Sequence, residues 1–178
     1  MLNRYSRLAY HVRDQILDLV LAKRGDNTWR LEDLARKFEV SRTPAREALA
    51  DLGCVGLVEP MRYRGFRGTF RGPDDIHTRV RILTAALTEG ETPEPGKVPQ
   101  RIANAAGGQW AEVQWAVLSA WPRNAHHWGL DGRRALPLLE DATARIDAAT
   151  SAVEIADAVR AYGVRLVDLE RQSLLSSR

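Results

Sequence analysis

The sequence predicts a mainly α protein: an N-terminal winged helix-turn-helix unit of three helices plus a β-hairpin, then an all-α C-terminal domain. Three observations carry this. Apolar residues recur at helical spacing through most of the chain. A tight turn at Glu39-Val40-Ser41 separates two short helices. Two β-like runs, LVEP (57–60) and GFRGTF (65–70), flank a glycine-bearing tip.

The elements follow in order. Residues 3–23 place Leu8, Val12, Ile16, Leu19 and Val20 at spacings of three and four, which makes one apolar stripe. Arg24-Gly25-Asp26-Asn27 is turn chemistry and ends that helix. Residues 31–38, LEDLARKF, form a short second helix with Leu34, Ala35 and Phe38 on one face. A third helix starts at Ser41 or Thr43, either of which can cap it, and Pro44 is tolerated in its first turn. Ala45, Ala48, Leu49 and Leu52 form its apolar face, and it stops between Gly53 and Gly56. Met61 to Gly65 form the tip of the hairpin.

Residues 71–73 are a short linker, so the domains are expected at 1–72 and 73–178. Asp74 or Asp75 can cap a helix running to about Thr88. The segment at 89–100 holds three prolines and two glycines and breaks the helical run. Residues 99–121 then read as helix, 122–132 as loop, and 133–149 as helix with Pro137 in its first turns. Ser151-Ala-Val-Glu154 is a capping box. It opens a helix over 152–174 whose apolar positions include Val153, Ala156, Val159, Val164, Val167 and Leu174.

Composition bounds the function. Hydrophobic residues make up 44% of the chain and charged residues 28%, which suits a packed core. Two halves of this size are each marginal alone, which favours dimer formation or packing between domains. Residues 1–72 carry 14 Lys/Arg against 9 Asp/Glu, whereas the remainder is slightly acidic. A basic half faces polyanions more readily than an acidic one. The single cysteine, Cys54, excludes an intramolecular disulfide and a thiolate zinc site, and reads as a small buried hydrophobe. The N-terminal residues do not read as a signal peptide, and no run approaches a membrane span. No carboxylate pair, nucleophile–base set or phosphate-cradling glycine loop stands out, so a non-enzyme is expected and no cofactor is implied.

The chemistry concentrates at 41–46. A helix N-terminus carries positive partial charge and disfavours cations by up to about 1 kcal/mol. Arg42 and Arg46 run against that preference, and residues that break a local rule are candidates for function. They lie four residues apart and so share a face, away from Ala45, Leu49 and Leu52. Guanidinium forks there can pair with guanine O6 and N7 or with phosphate. In the hairpin, Arg62, Arg64, Arg67 and Arg71 surround Gly65 and Gly68. A tip glycine lets backbone approach a phosphate or the minor groove. Tyr63 can add a phosphate hydrogen bond, and Arg36 and Lys37 of the second helix can touch phosphate.

The run VSRTPAREAL, followed by GLVE and then RG, resembles the signature of GntR-type winged-helix transcription regulators over about residues 5–70. The resemblance implies that Arg42, Thr43 and Arg46 contact operator bases and phosphates, and that the wing glycine, Gly65, lies against the minor groove. With Ser41, Arg36, Arg62 and Arg64 these form the expected DNA-binding set. The helix beginning DDIHTRVRILTAAL is similar to the FadR branch, where a helical, dimerising domain often binds a metal through one Asp and three His. This chain offers His77, His126 and His127 but no Asp-x-x-x-His motif, so no metal is expected and the domain reads as short and divergent.

The expected function is a sequence-specific DNA-binding transcription regulator, a homodimeric repressor on a palindromic operator. Double-stranded DNA and a second copy are the implied partners, with any small-molecule effector unidentified and no membrane involved. A bacterial cytoplasmic, nucleoid-associated location follows from that reading. The alternative is an interaction or adaptor protein that uses the same modules to bind a protein. Trp110, Trp115, Trp121 and Trp128 cluster within 19 residues and read as core or a dimer face rather than an effector pocket.

Overall fold

The computed structural model describes residues 4–22, 27–70, 73–91, 93, 96–124 and 132–176. Expectations for Arg24 to Asp26, Arg71, His126, His127 and Trp128 fall outside these residues, as does the side chain of Leu174. The described chain is mainly helical with one small antiparallel sheet. It divides into two compact units, Met1–Arg71 and Gly72–Arg178.

The first unit runs α1 (Arg4–Ala22), β1 (Thr28–Trp29), α2 (Leu31–Lys37), α3 (Arg42–Cys54), β2 (Val58–Met61) and β3 (Gly65–Gly68). Helices α1 and α3 pack together through Val12, Ile16, Leu17, Val20 and Leu21 on one side and Ala45, Ala48, Leu49 and Leu52 on the other, all buried. The stripe on α1 is rotated from the expected one. It centres on Leu17 and Leu21, leaving Leu19 half-buried and Leu8 exposed.

Backbone bonds define the helix stops. Glu39 N–H donates to Arg36 O and Val40 N–H to Ala35 O, at 3.2 and 2.9 Å. This pair is the Schellman arrangement, with Glu39 at φ 54° in the left-handed position that glycine usually takes. The same bonding ends α3 at Gly56, where Leu57 N–H reaches Leu52 O at 2.9 Å.

The sheet has the order β1-β3-β2, with all pairs antiparallel. The sequence reading missed β1, because a two-residue strand, Thr28-Trp29, carries no periodicity. Thr28 lies opposite Arg67 and Trp29 opposite Phe66, so the hairpin is pinned along one edge rather than standing alone.

The second unit contains α4 (Pro73–Thr88), α5 (Val98–Ala105), α6 (Gln109–Arg123), α7 (Gly132–Ala148) and α8 (Ala152–Ser176). The single helix expected over 99–121 is two helices. Gly107, at φ 79°, accepts the left-handed position, and Gly108 N–H bonds Ala103 O at 2.8 Å, which closes α5. Helix α5 also begins at Val98, inside the expected break, with Pro99 in its first turn. Helix α6 continues through Pro122 into the expected loop.

Helix α8 organises this unit. At Gly163 an added Cβ would overlap the Val80 side chain, so α4 and α8 approach closely there. Arg165 bonds Asp141 at 2.9 Å and Arg134 bonds Gln172 at 3.2 Å, tying α7 to α8 at two levels. The Tyr162 hydroxyl donates to Leu118 O at 2.6 Å, and its ring lies 5.8 Å from that of Trp115. Burial pushes the Tyr162 hydroxyl pKa far above its ordinary value, which keeps it a donor. Trp115 and Trp121 are core residues, and Trp110 is half-buried. Val153 and Val164, expected on the apolar face of α8, are about half exposed.

The capping box forms with a change of partner. Ser151 Oγ accepts from Glu154 N–H at 3.2 Å, but the Glu154 carboxylate accepts from Thr150 N–H and Thr150 Oγ1. Those bonds hold the Glu154 carboxyl below its usual pKa. Their stabilisation is present above the ordinary carboxylate range and is lost as acid protonates the group.

The buried Arg101 of α5 donates to Ile146 O and Ala149 O, at 3.2 and 2.5 Å, and so satisfies carbonyls at the end of α7. Arg101→Met keeps the apolar stem and removes both guanidinium bonds, leaving Ile146 O only its bond from Ala149 N–H. Denaturant unfolding is expected to show a loss of about 2–4 kcal/mol.

Candidate nucleic-acid interface

Helix α3 has two faces set by its own sequence. Pro44, Ala45, Ala48, Leu49 and Leu52 are buried, whereas Arg42, Thr43, Arg46, Glu47 and Ala50 are exposed. The exposed set follows a spacing of one, three and four, as a single outer face requires. No acidic residue occupies the first turn of α3, and Arg42 is its first residue, with Arg46 one turn further on. Ser41 occupies the N-cap position without spending its hydroxyl on a cap hydrogen bond. The expectation that Ser41 or Thr43 caps the helix is therefore met in position only.

Cys54 is the last residue of α3 and is exposed, not buried as expected. The helix continues one residue past Gly53, and its phase there returns to the outer face.

Two acidic residues of α2 reach the cations. Glu32 pairs with Arg42 at 3.5 Å, and Asp33 pairs with Arg36 at 3.5 Å. All four side chains are substantially exposed, so each pair contributes about 0–1 kcal/mol and is readily exchanged for another anion. Arg46 has no ion-pair partner among the described residues. On the inner side of α3, burial raises the Asp51 carboxyl pKa, while nearby Arg13 lowers it and Glu47 raises it.

The hairpin tip carries the second group of cations. Arg62, Tyr63 and Arg64 are exposed, with the turn closed by Arg64 N–H to Met61 O at 3.1 Å. The Arg62 guanidinium sits 5.2 Å from the centre of the Tyr63 ring, a cation–π distance. Tyr63 holds φ 63°, a left-handed conformation that costs an aromatic residue about 1–3 kcal/mol. Arg67 lies lower on β3 and is bonded to Glu59 across the strand pair, with Nε to Oε1 at 2.7 Å.

Sequence reasoning missed what supports this tip. Gly65 takes φ 93°, and a Cβ there would overlap the Trp29 carbonyl oxygen of β1. At Gly68 a Cβ would lie 3.2 Å from the Trp29 ring. The two glycines thus make room for Trp29, and Gly65 is required by a contact within the protein. The signal was an isolated Thr-Trp pair between two helices, a β-favouring dipeptide too short to read as a strand.

The eight residues singled out in the sequence therefore fall into two groups within the first unit. Ser41, Arg42, Thr43 and Arg46 lie at the start of α3, joined by Arg36 from α2. Arg62, Arg64 and Gly65 lie at the hairpin tip, where Gly65 is half-buried and the arginines are exposed. No group of His, Cys, Asp and Glu able to hold a metal ion occurs among the described residues.

No protein-family model matches the chain, and no curated protein matches it. Among solved structures, the chain aligns with one described as "a putative transcriptional regulator GntR from Rhodococcus sp. RHA1". The alignment covers 98% of this chain and 99% of that one, at 19% identity and a TM-score of 0.42. A likeness at that level carries no functional argument, so the functional reading rests on the geometry of the site.

Gly65→Ala places a methyl group against the Trp29 carbonyl and imposes a left-handed alanine. Urea unfolding of this variant is expected to show a loss of about 2 kcal/mol or more, with β1 released from β3 in amide-exchange measurements.

Proposed function

We propose that the chain is a sequence-specific DNA-binding transcription regulator. The observation that carries this is the outer face of α3. Arg42, Thr43 and Arg46 stand exposed at its N-terminal end, on a helix whose other face is locked into the core. A helix held in that way by a preceding helix and a tight turn fits the major groove with its first residues toward base edges. Arg46, without an ion-pair partner, reads a guanine edge; Arg42 leaves Glu32 for DNA; Thr43 and Ser41 donate to phosphate.

The hairpin lies against the neighbouring minor groove, with Arg62 and Arg64 neutralising phosphates and Arg36 adding a backbone contact. The protein acts as a homodimeric repressor on a two-fold symmetric operator, the second unit setting the distance between half-sites. A bacterial, nucleoid-associated location accompanies this role. Selection of bound sites from random duplexes tests the reading. A palindromic consensus supports it, and the lack of any salt-dependent duplex binding overturns it.

Two substitutions separate base reading from phosphate contact. Arg46→Ala is expected to weaken operator binding by about 1–3 kcal/mol and to relax preference at one base pair per half-site, measured by gel shift at fixed salt. Arg62→Ala is expected to weaken binding evenly across sequences and to lower the salt slope by about 1 per subunit, measured by anisotropy titrations over a salt series.

A further inference from the structure

We infer that Tyr63 is a specificity-determining residue: its ring enters the DNA minor groove beside the α3 site and selects A·T over G·C pairs there. This rests on the DNA-binding reading above and adds a reader that works in a different groove from the arginines of α3.

Several independent features of Tyr63 converge on this. It is 90% exposed, the most open of the exposed large hydrophobic side chains among the described residues, the next being Val153 at 51%. It holds a left-handed backbone, where asparagine or glycine would sit without strain. Its hydroxyl makes no hydrogen bond among the described residues. The fold therefore holds an apolar ring in solvent in a costly conformation, and gains only the Arg62 cation–π contact in return. The turn closed by Arg64 N–H and Met61 O takes a left-handed residue at this place, yet an aromatic side chain fills it where glycine or asparagine would cost less.

The surroundings define that ligand. Arg62 and Arg64 flank the ring on a turn whose base is fixed on both sides. Met61 pairs with Gly65, and β3 is held against Trp29 of β1. A flat ring with Arg62 against it and Arg64 next in the chain, on a rigid prong, matches a narrow groove walled by phosphates. In the minor groove an A·T pair shows only the acceptors A N3 and T O2, to which the Tyr63 hydroxyl can donate. A G·C pair adds the guanine N2 amino group, which projects from the groove floor into the ring's path.

The test uses the full chain and the duplex obtained by site selection. The base pair under the wing is made A·T, G·C or inosine·C, the last being a G·C pair without the N2 amino group. Wild-type affinity is expected to fall about tenfold on G·C and to recover on inosine·C. Tyr63→Ala is expected to bind all three duplexes alike. Tyr63→Phe keeps the ring and should still reject G·C while losing part of its affinity for A·T. Tyr63→Asn relieves the backbone strain and should raise the denaturation midpoint of the unbound protein while abolishing discrimination, a combination that a purely structural tyrosine would not give. Tyr63→Ala with the wild-type preference for A·T overturns the inference alone, as does equal rejection of G·C and inosine·C by the wild type. A wild type with no sequence-selective binding overturns both this inference and the DNA-binding reading.

Discussion

The apolar seam between α1 and α3 fixes where every other part of the first unit can lie. Small residues, Ala45 and Ala48, let the two helices close on each other, and Leu49 and Leu52 fill the space beyond them. Once that face is buried, the phase of α3 is fixed and the residues between the apolar ones have no direction left but outward. A rotation of α3 by one residue would bury Arg46 and expose Ala48 and Leu52, at a cost of several kcal/mol from the unpaired charge alone. The outer face is thus held rigid by the core, and the short α2 and the Glu39 turn serve to bring the chain to its start.

The cations on this surface are handled in different ways. Arg67 is bonded across the strand pair to Glu59, and Arg42 and Arg36 are lightly held by carboxylates of α2. Arg46, Arg62 and Arg64 have no ion-pair partner among the described residues, although Arg62 lies over the Tyr63 ring. Such an arrangement limits self-repulsion without committing the side chains. Exposed pairs at 3.5 Å are weak enough for a phosphate to replace either carboxylate, so a basic surface can be both folded and available.

The helices of the first unit were legible because each obeys a periodic pattern and ends in recognisable turn chemistry. The outward position of Arg42, Thr43 and Arg46 followed from the same phase. What the pattern could not carry was pairing between distant residues. Nothing near Trp29 announces that its backbone will lie on Gly65, and Gly65 alone reads as a flexible tip rather than as space for a strand. Errors of phase came at helix ends. Cys54 was assigned inward from its residue type, whereas its phase on α3 turns it outward, and Val153 and Val164 were assigned to a face that α8 leaves open. The split at Gly107 was missed because helical propensity on both sides outweighed two glycines until the bond to Ala103 is seen.

The tie between Gly163 and Val80 has a consequence for the order in which the chain matures. The first unit is complete in sequence once β3 has been made. The second pairs its first helix, α4, with its last, α8, and the bonds of Arg101 and Tyr162 likewise span more than forty residues. Closing such long loops costs entropy before any packing returns it. During synthesis from the N-terminus, the basic unit can therefore fold while the helical unit is still an open set of segments. If that unit holds two copies together, nascent chains would pass through a stage at which each carries a folded basic head and no partner.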